Sequence, residues 1–229
     1  MSMQLNEKQQ EAATTLNGCL LIVAVAGSGK TTVLINRAVN LVNAGVDPKR
    51  ILMITFTRYA ARNMATKAKE IGDNKCIGLY TSTFHSFYLD MLRRYGNIIG
   101  MDPNFVILNS DGSIEDSISQ VMAKYTEYGE VKGFPSFSDI REAYSYAINT
   151  GRPLDQVLSE FKETMDYVAE LCDLYEIWTK EKEATNNYTY DDLMVKMLEL
   201  MQTENGRNAV SSLFDYIMAD EYKDINKPQ

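Results

Sequence analysis

The first hundred residues alternate between short apolar runs and segments whose apolar positions recur every three to four residues. Three apolar runs bounded by glycine, proline or polar residues predict buried strands at residues 20–25, 51–56 and 77–82. Helical spacing follows each run, in residues 31–42, in residues 59–71 and in a segment that runs to residue 95. Alternation of this kind predicts an α/β fold, in which a parallel sheet is covered by helices on both faces.

The pattern changes in the middle of the chain, where residues 111–201 are predicted to be helical without a strand. Glycine, proline and asparagine separate four helical segments, at residues 113–128, 137–149, 154–183 and 190–201. Apolar and aromatic positions of the third segment share one face, which favours core packing over a binding stripe. A further strand is predicted at residues 214–219. The pattern therefore indicates an all-helical subdomain inserted into an α/β domain.

Composition is typical of a globular protein, with 45% hydrophobic and 24% charged residues among 229. The longest apolar run, residues 19–26, is too short to span a bilayer, and the first residues lack the features of a signal peptide. Three scattered cysteines, Cys19, Cys76 and Cys172, show no metal-ligand spacing. We therefore expect reduced thiols, a cytoplasmic location and no membrane association.

Charge is distributed unevenly along the chain. Residues 1–100 contain 12 basic and 6 acidic side chains, whereas residues 101–229 contain 11 basic and 25 acidic ones. A basic first part joined to an acidic second part indicates two surfaces with different partners, although solvation of helical faces accounts for the same pattern equally well.

A glycine-rich turn lies between the first predicted strand and the first predicted helix. Backbone N–H groups of such a turn can bind phosphate oxygens, Lys30 adds a positive charge and Thr31 offers a hydroxyl to Mg²⁺. The strict pattern has glycine six residues before the lysine, where this chain has Ala24. The predicted phosphate-binding residues are Ala26, Gly27, Ser28, Gly29, Lys30, Thr31 and Thr32.

An acidic pair follows the last predicted strand. Asp220 lies at the end of that strand and can bind Mg²⁺, while Glu221 can orient and deprotonate an attacking water. Alone, an Asp-Glu pair is weak evidence. Combined with the glycine-rich loop, it predicts a nucleotide-hydrolysing site in which Lys30 and Glu221 are catalytic and Thr31 and Asp220 hold the metal.

Five strings in this order resemble those of the UvrD/Rep-like helicases of superfamily 1. They are Leu5-Asn6-Glu7-Lys8-Gln9, the loop from Ala24 to Thr32, Ile54-Thr55-Phe56-Thr57, Ser82-Thr83-Phe84-His85-Ser86 and Tyr188-Thr189-Tyr190-Asp191-Asp192-Leu193. The resemblance implies that Gln9 contacts the adenine of ATP. It also implies a RecA-like P-loop NTPase domain, with its first part in residues 1–110, a helical insertion in residues 111–187 and its return in residues 188–229.

The same resemblance implies that two of these strings contact single-stranded DNA. Basic groups, hydroxyls and aromatic faces at strand ends are the groups that bind single strands. The predicted DNA-binding residues are Phe56, Thr57, Arg58, Thr83 and His85. Each has a structural alternative, since Phe56 can belong to the core and His85 can be a structural hydrogen-bonding residue.

Three departures from the family pattern accompany the resemblance. Val25 replaces a usual glycine, Arg58-Tyr59 replaces Asn-Lys, and Lys223 replaces a glutamine expected beside the third phosphate. The last departure bears on the coupling of hydrolysis to DNA binding.

These observations predict the ATP-binding N-terminal portion of an ATP-dependent DNA helicase or translocase, with ATP and Mg²⁺ as cofactors. We expect the chain to stop before the second RecA-like domain and to be nearly inactive alone, because transition-state arginines come from that domain. The alternative is a nucleotide-dependent interaction module that binds a protein through its acidic helical subdomain. A small-molecule P-loop kinase is disfavoured, since only Arg141 and Arg152 are available for a lid between positions 101 and 206.

Overall fold

A computed structural model describes residues 5–25, 27–108, 110–125 and 133–228, which form two compact units. One unit lies within Met1–Phe87 and Asn208–Ile225, and the other within Tyr88–Arg207 and residues 226–229. In chain order the helices are α1 (Glu7–Thr14), α2 (Lys30–Asn43), α3 (Arg58–Ile71), α4 (Phe84–Tyr95), α5 (Asp111–Tyr125), α6 (Phe137–Thr150), α7 (Leu154–Glu160), α8 (Val168–Ala184), α9 (Tyr190–Gln202) and α10 (Glu204–Ser211). The strands are β1 (Ile51–Thr55), β2 (Tyr80–Thr83), β3 (Val106–Ile107), β4 (Asn187–Tyr188) and β5 (Tyr216–Ala219).

The first unit is built on a three-stranded parallel sheet in the order β2–β1–β5. All five residues of β1 are buried, which explains why the central strand is a continuous apolar run. Ile35 and Leu41 of α2 pack with Ile51, Met53 and Met64 in the core of this unit. The predicted α/β fold with a parallel sheet is confirmed.

The register brings the carboxyl ends of the three strands to one edge of the sheet. Ile54 lies opposite both Ser82 of β2 and Ala219 of β5. The Asp220 N–H extends the ladder by donating to the Ile54 carbonyl at 2.9 Å. Residues that follow β1, β2 and β5 therefore share the edge at which open parallel sheets bind their ligands.

The strand predicted at residues 20–25 is wrong. This segment forms neither helix nor strand, and its side chains are largely exposed, with Val23 at 86%. An apolar run becomes a strand only when its backbone groups pair with a neighbour. Here the carbonyls of Ala24 and Val25 instead accept hydrogen bonds from the Lys30 ammonium, both at 3.1 Å.

The second unit is mainly helical, and its described core is formed by α5, α6, α7 and α8 around Tyr144 and Trp178, whose rings stack with centroids 6.0 Å apart. The single helix predicted at residues 154–183 is divided into α7 and α8. The Thr164 hydroxyl lies at the break and donates to the Leu158 carbonyl at 2.7 Å. Residues 126–128 of the predicted helix 113–128 lie outside the described residues.

Three short elements were not predicted. Strands β3 and β4 pair in parallel over two residues each, so the prediction of no strand within residues 111–201 is wrong at β4. The third is α10, a short helix before β5. Two-residue strands are too short to show an alternating pattern. The predicted helical segment between the strands of the sheet is confirmed, whereas its boundaries at residues 110 and 187 stay predictions. Within the described ranges, no helix is both long enough and apolar enough to cross a membrane.

Candidate nucleotide-binding site

The glycine-rich loop directly precedes α2, so the N-terminus of that helix adjoins the loop. Gly27 and Gly29 have φ angles of 77° and 82°, in the left-handed region that glycine adopts without steric cost. The Val33 N–H donates to the Gly29 carbonyl at 3.0 Å, so α2 begins directly at the loop. The positive end of the helix dipole and its unpaired N–H groups make such a terminus suited to phosphate. Ala26, which was predicted to bind the nucleotide, lies outside the described residues.

Helix α1 supports the loop through one glutamine. The Gln9 side-chain N–H₂ donates to the Ser28 carbonyl at 2.8 Å, and Gln9 also forms a capping box with Asn6. A Cβ atom at Gly29 would lie 3.2 Å from Gln9 Nε2, so a larger residue would press on this contact. Asn6 was not predicted as a contributor, although the Asn-x-x-Gln spacing is a capping signal readable from the sequence.

Ser28 provides an internal test of whether the loop fits a polyanion. Its Oγ is buried and has no hydrogen-bond partner among the described residues. A buried hydroxyl without a partner costs free energy unless a polar group satisfies it. Phosphate oxygens bound in the loop would provide such an acceptor, so the residues present fit a nucleotide phosphate.

The two predicted halves of the site meet at one hydrogen bond. Thr31 Oγ1 donates to Asp220 Oδ2 at 2.7 Å across 189 positions of sequence. Asp220 follows β5 and is only 5% exposed, and its other oxygen accepts from the Glu221 N–H at 3.1 Å. A hydroxyl and a carboxylate oxygen at this separation are the hard ligands that Mg²⁺ prefers.

The described residues contain no group of three or more His, Cys, Asp or Glu placed to hold a metal. A cation at Thr31 and Asp220 would therefore complete its shell with phosphate oxygens and water. This is how Mg²⁺ is usually bound, through one or two carboxylates and the substrate. The residues fit a metal that arrives with the nucleotide.

Glu221 has an unusual backbone conformation. Its φ and ψ angles are 54° and 41°, in the left-handed region, and it caps the short turn Tyr222–Asp224. For a residue other than glycine, this conformation costs about 1–2 kcal/mol. Such strain is often found at functional sites. The side chain of Glu221 is 44% exposed, so its carboxylate is accessible to water.

Three of the predicted DNA-binding residues lie after β1, on the same sheet edge as Asp220. Phe56 is partly exposed and packs against Phe84, with ring centroids 5.4 Å apart. The Thr57 hydroxyl caps α3 by accepting from the Ala60 N–H at 3.0 Å, and Arg58 is exposed in the first turn of that helix. Tyr59, which was not predicted as a contact, is 80% exposed beside Arg58.

The other two follow or end β2. Thr83 is buried, and its hydroxyl donates to Ser86 Oγ at 2.9 Å. His85 is exposed in the first turn of α4. The structure therefore brings all five residues to the ends of β1 and β2, with Phe56, Arg58 and His85 presenting side chains to solvent. The hydroxyls of Thr57 and Thr83 also stabilise the helices that follow them.

The loop, the parallel sheet and the acidic residue at its edge define a P-loop protein of the α/β class. The family model described as the UvrD/REP helicase N-terminal domain matches residues 5–229. This chain belongs to that family.

Several similar proteins carry the same name. The ATP-dependent DNA helicase PcrA of Leuconostoc citreum is 32% identical over 231 residues, which cover 98% of this chain and 30% of that protein. Proteins of the same name from Staphylococcus aureus (strain Mu50) and Staphylococcus epidermidis (strain ATCC 35984) are each 31% identical over 228 residues, with the same coverage. This chain thus spans less than a third of the length of the curated relatives it matches.

Proposed function

We propose that this chain is the ATP-binding N-terminal portion of an ATP-dependent DNA helicase or translocase that acts on single-stranded DNA. The observation that carries the proposal is the 2.7 Å hydrogen bond between Thr31 and Asp220. It joins the phosphate loop to the acidic strand end, although 189 positions separate the two residues. Family membership and the names of the relatives support the same function.

ATP would bind at the predicted residues 26–32, where the glycine-rich loop meets the first turn of α2, with Gln9 contacting the base. Lys30 would exchange the carbonyls of Ala24 and Val25 for phosphate oxygens, because a phosphate carries full negative charge and a carbonyl does not. Ser28 Oγ would gain the partner that it lacks. These exchanges favour the nucleotide-bound loop.

Mg²⁺ would be held by Thr31 and Asp220, and when bound it neutralises charge that develops on the phosphoryl group. Asp220 is buried and pinned by two backbone hydrogen bonds, so its carboxylate is already oriented. Glu221 would accept the proton of the attacking water, since its carboxylate is solvent-accessible and directly follows the metal ligand. Lys30 would stabilise the developing charge.

Single-stranded DNA would bind over Phe56, Thr57, Arg58, Thr83 and His85, with Tyr59 as an additional stacking surface. Exposed aromatic rings and a guanidinium at one sheet edge are the groups that bind bases and phosphates of a single strand. The acidic helical subdomain, placed within residues 111–187, would be the surface for a protein partner. A cytoplasmic location is part of the same proposal.

The isolated chain is expected to bind nucleotide but to hydrolyse it slowly. Its relatives are more than three times as long, which leaves room for a second RecA-like domain with transition-state arginines. Such arginines raise rates by about 10³–10⁵ in related NTPases. A longer chain that adds such a domain should therefore show DNA-stimulated hydrolysis.

A binding experiment tests the proposal directly on this chain. We expect a fluorescent ATP analogue with Mg²⁺ to bind the unmodified protein and to bind Thr31→Ala and Asp220→Asn at least tenfold more weakly. Thr150→Ala and Asp155→Asn, which alter residues of the helical unit, serve as matched controls and should bind normally. Equal binding by all five proteins would refute the assignment of the site.

A second measurement addresses DNA. Fluorescence anisotropy with a labelled oligonucleotide should report binding of a single strand in preference to a duplex, weakened by salt as phosphate contacts require. Nucleotide binding without any DNA binding would instead support the interaction module.

A further inference from the structure

Lys223 lies beside the proposed general base. Its Nζ is 3.9 Å from Glu221 Oε2 and 3.6 Å from Asp224 Oδ2. The turn Tyr222–Asp224 keeps these side chains together, because the Asp224 N–H donates to the Glu221 carbonyl at 2.9 Å. Lys223 is 73% exposed, so its ammonium can move without unpacking the core.

The position of the ammonium relative to the nucleotide follows from the neighbouring contacts. Asp220 accepts a hydrogen bond from Thr31, and these two residues are the proposed metal ligands beside the phosphate loop. Glu221 is the next residue, and a carboxylate that orients an attacking water must lie near the terminal phosphate of a triphosphate. Lys223 Nζ is 3.9 Å from that carboxylate and exposed, so a terminal phosphate placed beside Glu221 would lie within its reach.

We propose that Lys223 makes the site selective for a nucleoside triphosphate over the diphosphate, by moving its ammonium from the carboxylates of Glu221 and Asp224 to the terminal phosphate. The proposal rests on the nucleotide-binding function proposed above. A diphosphate offers no oxygen at this position, so the ion pair with Glu221 persists. A triphosphate adds negative charge there and competes for the cation.

The exchange has a consequence for the base. While Lys223 is paired with Glu221, the carboxylate interacts with the ammonium and is less available to orient a water molecule. Transfer of the ammonium to the terminal phosphate leaves the carboxylate available to orient water. One side chain would thus link recognition of the third phosphate to release of the base.

Equilibrium binding to the full chain tests the inference without reliance on hydrolysis. We would compare fluorescent ADP with a non-hydrolysable triphosphate analogue, both with Mg²⁺. Lys223→Met removes the charge and keeps most of the side-chain length. It should weaken triphosphate binding about tenfold, while diphosphate binding changes less than about twofold; a tenfold change corresponds to about 1.4 kcal/mol.

Two further variants sharpen the test. Asp224→Asn removes one competing carboxylate and should increase the preference for triphosphate severalfold. Lys180→Met is the matched control, because Lys180 is similarly exposed and pairs with Glu176 at 3.6 Å in the helical unit. It should leave both affinities unchanged.

The possible failures are distinguishable. If both nucleotides bind but Lys223→Met keeps the selectivity of the unmodified chain, the role of Lys223 is refuted and the proposed function stands. If the unmodified chain binds neither nucleotide, the proposed function itself is refuted, and the role of Lys223 with it. Equal weakening of both nucleotides would also refute selectivity, since it would indicate a general effect on the site.

Discussion

Lys182 and Asp192 form a buried ion pair in the helical unit, where charges are costly to keep away from water. Lys182 is 2% exposed, and its Nζ lies 2.7 Å from each carboxylate oxygen of Asp192 and 3.7 Å from the centroid of the Trp178 ring. Asp192 also accepts from the N–H and the hydroxyl of Thr189, at 2.7 and 2.9 Å, and so caps α9. Removal of the carboxylate would leave a buried ammonium without a direct carboxylate partner, stabilised by the Trp178 ring and by the more distant charges of Asp191 and Glu183.

We predict that Asp192→Ala destabilises the protein by about 3–5 kcal/mol, the usual cost of an uncompensated buried charge. The variant also loses the hydrogen bonds from Thr189 to the carboxylate, which help to cap α9. For a chain of this size, the loss corresponds to a decrease in Tm of about 6–20 °C. Urea unfolding followed by circular dichroism measures the free energy, and Asp173→Ala, which removes an exposed carboxylate of α8, should change it by less than about 0.5 kcal/mol.

The double variant Lys182→Met with Asp192→Asn separates charge from packing. It removes the buried ammonium together with its partner and keeps a side chain able to cap α9, so it should recover at least half of the stability lost in Asp192→Ala. A cost below about 1 kcal/mol for Asp192→Ala, or a double variant as unstable as the single one, would refute the argument.

The same pair predicts a pH dependence. Burial lowers the pKa of Lys182 below its ordinary value, while Asp192 acts in the opposite direction. Because the folded pKa lies below that of the unfolded chain, the unfolded state binds more protons between the two values, and the contribution of Lys182 to stability rises with pH in that window. Without the Asp192 carboxylate, the folded pKa falls further. The stability deficit of Asp192→Ala should therefore shrink as the pH rises towards 10.5, the ordinary value for lysine.

Three further outcomes are expected at the nucleotide site and the sheet edge. Gly29→Ala should weaken binding of a fluorescent ATP analogue at least tenfold, because it combines a φ of 82° with a Cβ 3.2 Å from Gln9; unchanged affinity would contradict the loop geometry. Tyr59→Ala should weaken single-stranded DNA binding by about 1–3 kcal/mol in anisotropy titrations, whereas Tyr146→Ala, at an exposed tyrosine of α6, should have no effect. Glu221→Gln should retain nucleotide affinity and, in a longer chain that supplies the transition-state arginines, slow single-turnover hydrolysis by about 10²–10⁴; hydrolysis at the normal rate there would exclude Glu221 as the base.

Local sequence patterns were sufficient for several of the elements that carry the site. The apolar run of β1, the helical spacing of α2 and α3 and the glycines of the loop reflect backbone preferences within a few residues. The stop of α3 at Gly72 follows from the same local rules. Because these signals are short-range, they identified the α/β class and the candidate loop before any contact was known.

Other features depended on partners distant in the chain. Residues 20–25 have the composition of a buried strand, yet their backbone forms neither strand nor helix, and pairing is a property of two segments. The break between α7 and α8 occurs where the Thr164 hydroxyl binds a carbonyl of the preceding helix, in a stretch whose apolar spacing continues through the break. Strands β3 and β4 exist only because they pair with each other.

The sequence by itself determined the class of fold, the phosphate loop and the presence of an acidic pair after the last strand, since each depends on the chemistry of neighbouring residues. The sequence predicted that Thr31 and Asp220 share a metal, and the tertiary structure adds the direct hydrogen bond between them. Only the tertiary structure decided that the Tyr59 side chain is exposed and that the Lys223 ammonium lies 3.9 Å from the Glu221 carboxylate. The physical reason is that strand order and turn geometry place these side chains, and both are set by packing across the whole unit.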